Sequence, residues 1–457
     1  MRLPGGSPLG SPFAGRASVR FVAGVLAIAL LALAAAAGAD WLAPDASFRD
    51  AQVQLRYATR DTVGHPGDVA LLDTLGLALL RIGRVHEARD IFQRTLAAQH
   101  GDRAACAALG KLALWEDRLG AAESLLVLAG DQEQARADLY ATRLRRADWP
   151  HAAAMAEDLG DDGRKPLLER LESGPATTVA GEHAMLYFDR VWPAPVVKAR
   201  VNGTAVLMIV DTGTPGLLLD PIEVNRDHVT PLAGQRLVAW PGTHVAVKNA
   251  FVQKLELGGV TLTNVPAGVL SLHRLSLAID PLGTPLAGVI GVDVLRHFAV
   301  TFDFPRRRLA LGPIAGAAQL PGTRVPFELW GENEITAWGS INGGRRMAMT
   351  LATGLPEGGV GAPDAVFEEL GLKSGGVARL VKGAGTWLQG PPWTQVSVGS
   401  LTLGRAVFDH LPGWSGAMEP TEMWRHGVRR DALLGPGILR GRRMTIDWAN
   451  RELVFED

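Results

Sequence analysis

The stretch Ile209-Val210-Asp211-Thr212-Gly213-Thr214 decides the fold of this chain of 457 residues. It closes an apolar run that begins at Ala205, and the preceding dipeptide Asn202-Gly203 is typical of a hairpin turn. The pattern predicts a buried strand that leads an aspartate into a tight turn. The glycine permits that turn, and a hydroxyl residue follows it.

The region that carries this stretch repeats itself. From about residue 174, Val, Thr, Gly and Pro become frequent, and alternation with period two predicts strands. Segments at 202–203, 211–213, 257–262, 289–296 and 301–304 match segments at 342–343, 352–354, 398–403, 433–440 and 445–448, in the same order and at nearly equal offsets. We therefore predict two homologous all-β lobes, at 173–315 and 316–457.

Further elements follow the Asp-Thr-Gly triplet in a set order. Later in the same lobe comes an apolar-apolar-glycine element, Val289-Ile290-Gly291, and then a short predicted helix and a closing pair of strands. This order resembles the retropepsin-like aspartic peptidases, the group that includes retroviral and pepsin-type enzymes. The resemblance covers lobe one and, without its aspartate, lobe two.

The resemblance implies a function and a set of site residues. The implied activity is that of an aspartic endopeptidase acting on polypeptides, with no cofactor and no metal, and a hairpin flap is expected at Val238–Val247. Asp211 is implied as the catalytic carboxylate. The supporting residues are Thr212, Gly213 and Thr214 in the turn, where Thr214 hydrogen-bonds the carboxylate, and Val289, Ile290 and Gly291, which pack against it.

Hydrolysis of this kind needs two carboxylates that share one proton. The ionised member takes a proton from the attacking water, and the protonated member polarises the scissile carbonyl. Lobe two has Ala352 where the second aspartate is expected. Glu357 and Asp364 lie near this altered turn, but neither has the turn residues that would present a carboxylate beside Asp211.

Two explanations of Ala352 remain open at this stage. In the first, lobe one pairs with lobe one of a second chain, so that a homodimer brings two copies of Asp211 together. In the second, lobe two occupies the partner position itself, and the protein is a pseudopeptidase or peptide-binding scaffold that mediates protein–protein interaction. The first predicts self-association and acid-favoured cleavage, whereas the second predicts binding without turnover.

Residues 46–172 are predicted to form a helical region of a different kind. Leu75-Gly76 recurs as Leu109-Gly110, and Ala88 recurs as Ala122 at the same spacing. A period of about 34 residues is typical of tetratricopeptide (TPR) repeats, in which small residues let two helices approach closely. A generic bundle of helical hairpins is the alternative. A repeat array of this kind would recruit a protein partner.

Residues 1–39 predict export. Arg2, Arg16 and Arg20 precede an uncharged apolar run, and Ala37-Gly38-Ala39 fits a signal-peptidase site. Cleavage after Ala39 and retention as an anchor in the inner membrane are both open. Either outcome places the remainder outside the cytoplasm, in the periplasm or an equivalent compartment.

Composition excludes several other classes of protein. The hydrophobic fraction is 47%, the charged fraction is 20% and the formal net charge is −1, so we expect a folded chain that does not bind nucleic acid. Cys106 is the single cysteine, which rules out an internal disulfide. His-Glu-x-x-His, Gly-x-Ser-x-Gly and phosphate-loop motifs are absent from the sequence.

Overall fold

The computed structural model describes residues 48–222, 229, 231–240, 243–280, 282–356, 358–373 and 393–456. Within them, the chain begins with helices and continues as a β-rich region, which confirms the predicted order. The described helices are α1 (Phe48–Gly64), α2 (Val69–Arg81), α3 (Val85–Ala98), α4 (Arg103–Trp115), α5 (Leu119–Ala129), α6 (Glu133–Arg145), α7 (Trp149–Ala156), α8 (Lys165–Ser173), α9 (His273–Ile279), α10 (Val292–Leu295) and α11 (Asp364–Glu369).

Two glycines set the close packing of the first helix pairs. Gly76 of α2 lies against the ring of Phe92 on α3, so closely that a Cβ atom at this glycine would be 2.7 Å from the ring. Gly110 of α4 approaches Leu126 of α5 in the same way, also at 2.7 Å. The repeated spacing in the sequence therefore marks two equivalent helix contacts. The more specific assignment to tetratricopeptide repeats stays a prediction.

Two acidic side chains meet between these helix pairs. Asp102 caps α4 by accepting a hydrogen bond from the backbone of Ala105 at 3.0 Å, and Asp73 of α2 lies beside it. Burial and then repulsion by Asp102 raise the pKa of Asp73 to about 7. This folded-state pKa lies above the unfolded value, so the protonated form of Asp73 stabilises the folded protein. That contribution to the free energy of unfolding is lost as the pH rises from about 4 to about 7.

Asp73→Asn is therefore expected to stabilise the protein at alkaline pH only. We expect Tm to rise by roughly 2 °C at pH 8 and to change little at pH 4, because asparagine removes a charge that exists only at the higher pH. Thermal unfolding at both pH values measures this. Asp90→Asn, on the exposed side of α3, is the control. An equal effect of Asp73→Asn at both pH values would contradict the interpretation.

The strands of the β-rich region build two lobes that share one sheet. They are β1 (Thr178–Ala180), β2 (Ala184–Arg190), β3 (Val196–Val201), β4 (Thr204–Val210), β5 (Leu217–Leu219), β6 (Pro231–Trp240), β7 (Thr243–Leu257), β8 (Val260–Val269), β9 (Leu286–Ile290), β10 (Ala299–Asp303), β11 (Arg308–Gly312), β12 (Thr323–Trp330), β13 (Glu334–Ile341), β14 (Met347–Leu351), β15 (Val360–Ala362), β16 (Thr394–Leu403), β17 (Ala406–Ser415), β18 (Ala432–Leu434), β19 (Arg443–Asp447) and β20 (Glu452–Glu456).

The shared sheet relates the two lobes by an approximate two-fold axis. Its strands run antiparallel in the order β2, β11, β10, β19, β20 and β12, so each lobe supplies three. At its centre Thr301 of β10 pairs with Thr445 of β19, and their hydroxyl oxygens are 2.8 Å apart. These two residues are also matched by the sequence repeat, so the repeat corresponds to a real pseudo-symmetry.

Each lobe also contains one pair of parallel strands that leads to the site. In lobe one β4 runs beside β9, with Val210 opposite Ile290. In lobe two β14 runs beside β18, with Leu351 opposite Leu434. The residues that follow β4 and β14, Asp211 and Ala352, therefore occupy equivalent places in the fold.

The helical region packs against both lobes. Trp115 of α4 stacks on Trp330 of lobe two, with ring centroids 4.3 Å apart and the planes 13° from parallel. Lys111 donates to the backbone oxygen of His426 at 2.7 Å, and Asn249 of lobe one donates to that of Gly163 at 2.6 Å. Helices and lobes lie in one compact unit, Pro44–Asp457.

The N-terminal segment of the export prediction lies outside the described residues. Cleavage or anchoring at residues 1–39 therefore stays a prediction. Among the residues that the structure does describe, every helix is too short or too polar to cross a membrane.

Candidate functional site

The aspartate turn is held by the strand beside it. Asp211 donates its backbone N–H to the carbonyl of Ile290 at 3.0 Å. Val292 donates to the carbonyl of Thr214 at 2.9 Å, and a Cβ atom at Gly291 would lie 2.4 Å from that same oxygen. The element that begins at Val289 thus lies directly against the turn, and only glycine fits at its end.

Three donors surround the Asp211 carboxylate. Its Oδ1 accepts the backbone N–H of Gly213 at 2.8 Å and that of Gly354 at 2.7 Å. Its Oδ2 accepts the hydroxyl of Thr214 at 2.7 Å. These donors fix the orientation of both carboxyl oxygens of Asp211. Among the described residues, no second carboxyl group is hydrogen-bonded to Asp211.

Lobe two occupies the position opposite Asp211 and has lost its polar groups there. A Cβ atom at Gly354 would lie 2.7 Å from the Asp211 Cβ, and one at Gly213 would lie 2.8 Å from the Ala352 Cβ. Ala352 is therefore the counterpart of Asp211. Leu355 stands where lobe one has Thr214, and it packs with Ala352 in an apolar cluster. Both the acid and its hydroxyl partner are missing from this side.

Reciprocal hydrogen bonds of Thr212 and Thr353 join the two turns. The Thr212 hydroxyl donates to the carbonyl of Leu351 at 2.9 Å and accepts the N–H of Thr353 at 3.1 Å. The Thr353 hydroxyl donates to the carbonyl of Val210 at 2.9 Å and accepts the N–H of Thr212 at 3.0 Å. Both threonines are buried. Lobe one is thus joined to lobe two of its own chain by four hydrogen bonds.

The hydrogen bonds between the two turns limit where a second carboxylate could come from. The sequence left open whether that group comes from another chain. Within this chain Ala352 already faces Asp211, and Thr353 already bonds Thr212. A second copy of Asp211 could take this place only if lobe two moved away and its four hydrogen bonds broke. The homodimer itself stays a prediction.

The two turns lie at the floor of a cleft of about 750 Å³. Asp211, Pro215 and Leu218 contribute to its wall in lobe one, and Ala352 and Leu355 contribute in lobe two. The helical region supplies a third wall. Its contributing residues include Gln134, Ala137 and Tyr140 of α6 and Leu159 to Asp162.

A long hairpin stands beside the cleft near the predicted flap. Strands β6 and β7 are paired from Trp240 opposite Thr243, near the tip, back to Gln235 opposite Lys248. The two residues at the tip, 241–242, lie outside the described residues. Gln235 and Arg236 at the base of this hairpin line the cleft. The hairpin is therefore present, while its action as a flap stays a prediction.

Charged pairs border the cleft where the helical region meets lobe two. Arg164 binds Glu332 with both terminal guanidinium nitrogens, at 2.7 and 2.9 Å. Burial opposes ionisation of Glu332, but Arg164 outweighs it and holds the pKa of Glu332 at about 2. Glu334 pairs with Arg430 at 2.7 Å, and its pKa is likewise well below the usual range because Arg430 outweighs burial. These carboxylates are committed to ion pairs.

The other acidic residues that the sequence places near the altered turn are Glu357 and Asp364. Glu357 lies outside the described residues. Asp364 opens α11, where its carboxylate accepts a hydrogen bond from the Ser415 hydroxyl at 2.5 Å. Within the described ranges no group of three or more His, Cys, Asp or Glu side chains is arranged to hold a metal ion.

Comparison with known proteins relates part of the chain to a family. Residues 197–294 match the family model described as aspartyl protease. This segment is aspartic-protease-like. It contains Asp211, the turn around it and the element at Val289, whereas lobe two lies outside the matched range. No curated protein sequence matches the chain.

Many solved structures match part of the chain, and two of them show the extent of the similarity. One is a retropepsin-like aspartic protease from Rickettsia conorii, which is 16% identical in sequence. The match covers 30% of this chain and 93% of the protease chain, and the TM-score is 0.21. The other is basic 7S globulin from soybean, which is 12% identical in sequence. The match covers 61% of this chain and 95% of the globulin chain, and the TM-score is 0.36.

Some features of the site were not found from the sequence. Leu355 could have been found, because it is separated from Thr214 by the same offset that relates Ala352 to Asp211. The wall that α6 adds to the cleft has no sequence signal, since it depends on how the helical region docks onto the lobes.

Proposed function

We propose that the protein binds an extended polypeptide in the cleft between its lobes and holds it without cutting it. The single observation that carries this proposal is the alanine opposite Asp211. Without a second carboxyl group there is no proton to share and no acid to polarise a scissile carbonyl. The side-chain oxygens of Asp211 can still accept a hydrogen bond from a peptide N–H.

The shape of the cleft supports an extended ligand. Its floor is formed by two turns from the two lobes, and its walls come from both lobes and from α6. A cleft bounded by both lobes and by α6 is concave, which suits a segment of chain better than the face of a folded domain. A polypeptide in an extended conformation is the ligand that this space accommodates best.

Measurements of binding and of cleavage on the same protein test this proposal. We expect a fluorescent, unstructured peptide library to bind, and we expect unfolded casein to remain intact between pH 3 and pH 7. Asp211→Ala should weaken binding severalfold, whereas Asp409→Asn, an exposed carboxylate of β17, should not. Cleavage of casein that Asp211→Ala abolishes and Asp409→Asn preserves would overturn the proposal.

Peptide hydrolysis is the second candidate, and one observation favours it. The turn of lobe one retains its aspartate and all three donors to the carboxylate, from Gly213, Gly354 and Thr214. Activity would need a second copy of Asp211 from another chain. Analytical ultracentrifugation under cleavage conditions distinguishes the candidates, because this one requires a dimer whose formation parallels activity.

A further inference from the structure

A second cavity of about 460 Å³ lies between the helical region and lobe one. Its apolar wall comes from Leu144, Leu167 and Leu171 of the helices and from Leu217 and Val265 of lobe one. This space is large enough for one apolar side chain with room to adjust. The two cavities adjoin, because Arg236, Glu332 and Asn333 line both of them.

The carboxylates at the boundary of the two cavities all have hydrogen-bond partners. Glu332 binds Arg164, Asp161 accepts the Tyr140 hydroxyl at 2.8 Å, and Asp293 accepts the side-chain amide of Asn333 at 2.6 Å. The three carboxylates near Arg236 therefore already have partners.

Arg236 of β6 lines both cavities near these carboxylates. Among the described residues its guanidinium forms no ion pair, its Nε is buried without a hydrogen-bond partner, and the side chain is only partly exposed. Burial and the neighbouring Arg164 lower the pKa of Arg236 and outweigh the opposite effect of Glu332, Asp161 and Asp293, whose carboxylates are bonded elsewhere. A partly buried, unpaired charge is costly, and an anionic ligand would offset that cost.

We propose that Arg236 binds the terminal carboxylate of a polypeptide whose last side chain enters the second cavity. The inference rests on the proposed function, since it places the rest of the polypeptide in the adjoining cleft. A guanidinium suits this role because it can bind both oxygens of a carboxylate at once. The ligand class is therefore a peptide with a free C-terminus and an apolar last residue.

One peptide in two forms tests this assignment. The probe is a fluorescein-labelled octamer of alternating alanine and valine that ends in leucine, prepared with a free C-terminus and with a C-terminal amide. We expect fluorescence anisotropy to show tenfold or more weaker binding of the amide, as for loss of a charged hydrogen-bonded pair (about 1.4 kcal/mol per tenfold). A terminal aspartate in place of leucine should also weaken binding.

Variants of Arg236 show whether this side chain binds the C-terminal carboxylate of the peptide. We expect Arg236→Gln to bind the free peptide about as weakly as the amide, and Arg236→Lys to retain part of the preference. Arg306→Gln, an exposed arginine of lobe one, is the matched control and should behave as the wild type. Circular dichroism and Tm confirm that each variant is folded.

The outcomes separate this inference from the function on which it rests. Equal binding of the two peptide forms, or a preference that survives Arg236→Gln, would overturn the inference and leave peptide binding intact. If neither form binds, both proposals are wrong. Dodecanoate supplies the same carboxylate chemistry from a lipid, and displacement of the peptide at a dodecanoate concentration below the peptide Kd would overturn the assignment to a polypeptide.

Discussion

The double variant Ala352→Asp, Leu355→Thr is expected to cleave unfolded casein at acidic pH at least about 100-fold faster than the wild type. Both substitutions restore in lobe two what lobe one already has, an acid after the strand and a hydroxyl at the end of the turn. The Gly213 backbone lies against Ala352 as that of Gly354 lies against Asp211, so the new carboxylate has an equivalent place.

The expected pH dependence follows from two carboxylates held close together. Both cannot ionise easily, so the pair retains one proton over a range of acidic pH and supplies both an acid and a base. Activity should therefore fall as the pH rises above the second, higher pKa of the pair. The wild type, with Asp211 alone, should show no such optimum.

Three further proteins make this experiment decisive. Adding Asp211→Asn to the double variant should abolish the new activity, and Leu355→Thr alone should produce none. The wild type measures the background. If the double variant is folded and still inactive, the missing aspartate is not what separates this chain from an active peptidase, and the interpretation of Ala352 is wrong.

The second large effect is expected from Thr353→Val. Valine has nearly the shape of threonine but leaves the Thr212 N–H and the Val210 carbonyl without their buried partner. An unsatisfied buried group costs about 1–3 kcal/mol, so we expect the free energy of unfolding to fall by roughly 2–4 kcal/mol. Denaturation by urea, followed by tryptophan fluorescence, measures the change.

A matched substitution and a double variant complete the test of the joined turns. Thr178→Val removes one exposed hydroxyl pair with Thr263 and should cost less than about 0.5 kcal/mol. Thr212→Val combined with Thr353→Val should cost less than the sum of the two, because the residues share partners. Additive losses would indicate that the two threonines do not act together.

Local signals in the sequence were enough to predict the parts of the site that one lobe builds alone. An apolar strand, an aspartate and a glycine in close succession specify the turn at Asp211, whose geometry depends mainly on β4 and β9. Gly76 and its counterpart Gly110 likewise indicated close helix packing, because the contact lies within one hairpin of helices.

Features that depend on docking could not be predicted in the same way. The stacking of Trp115 on Trp330 joins residues that lie far apart in the chain, and the sequence around one does not indicate that it contacts the other. The unpaired state of Arg236 depends on the ion pairs that its neighbours form elsewhere. Such features are set by the surfaces that meet, which a pattern within one element does not encode.

The shared sheet, with three strands from each lobe, has a consequence for how this protein could diverge. When two identical chains make such a sheet, one gene encodes both turns, and any substitution appears on both sides at once. Here the two turns are encoded separately in a single chain. One side could therefore lose its acid and hydroxyl while the other kept both, so covalent linkage of the lobes is what makes an asymmetric cleft accessible to mutation.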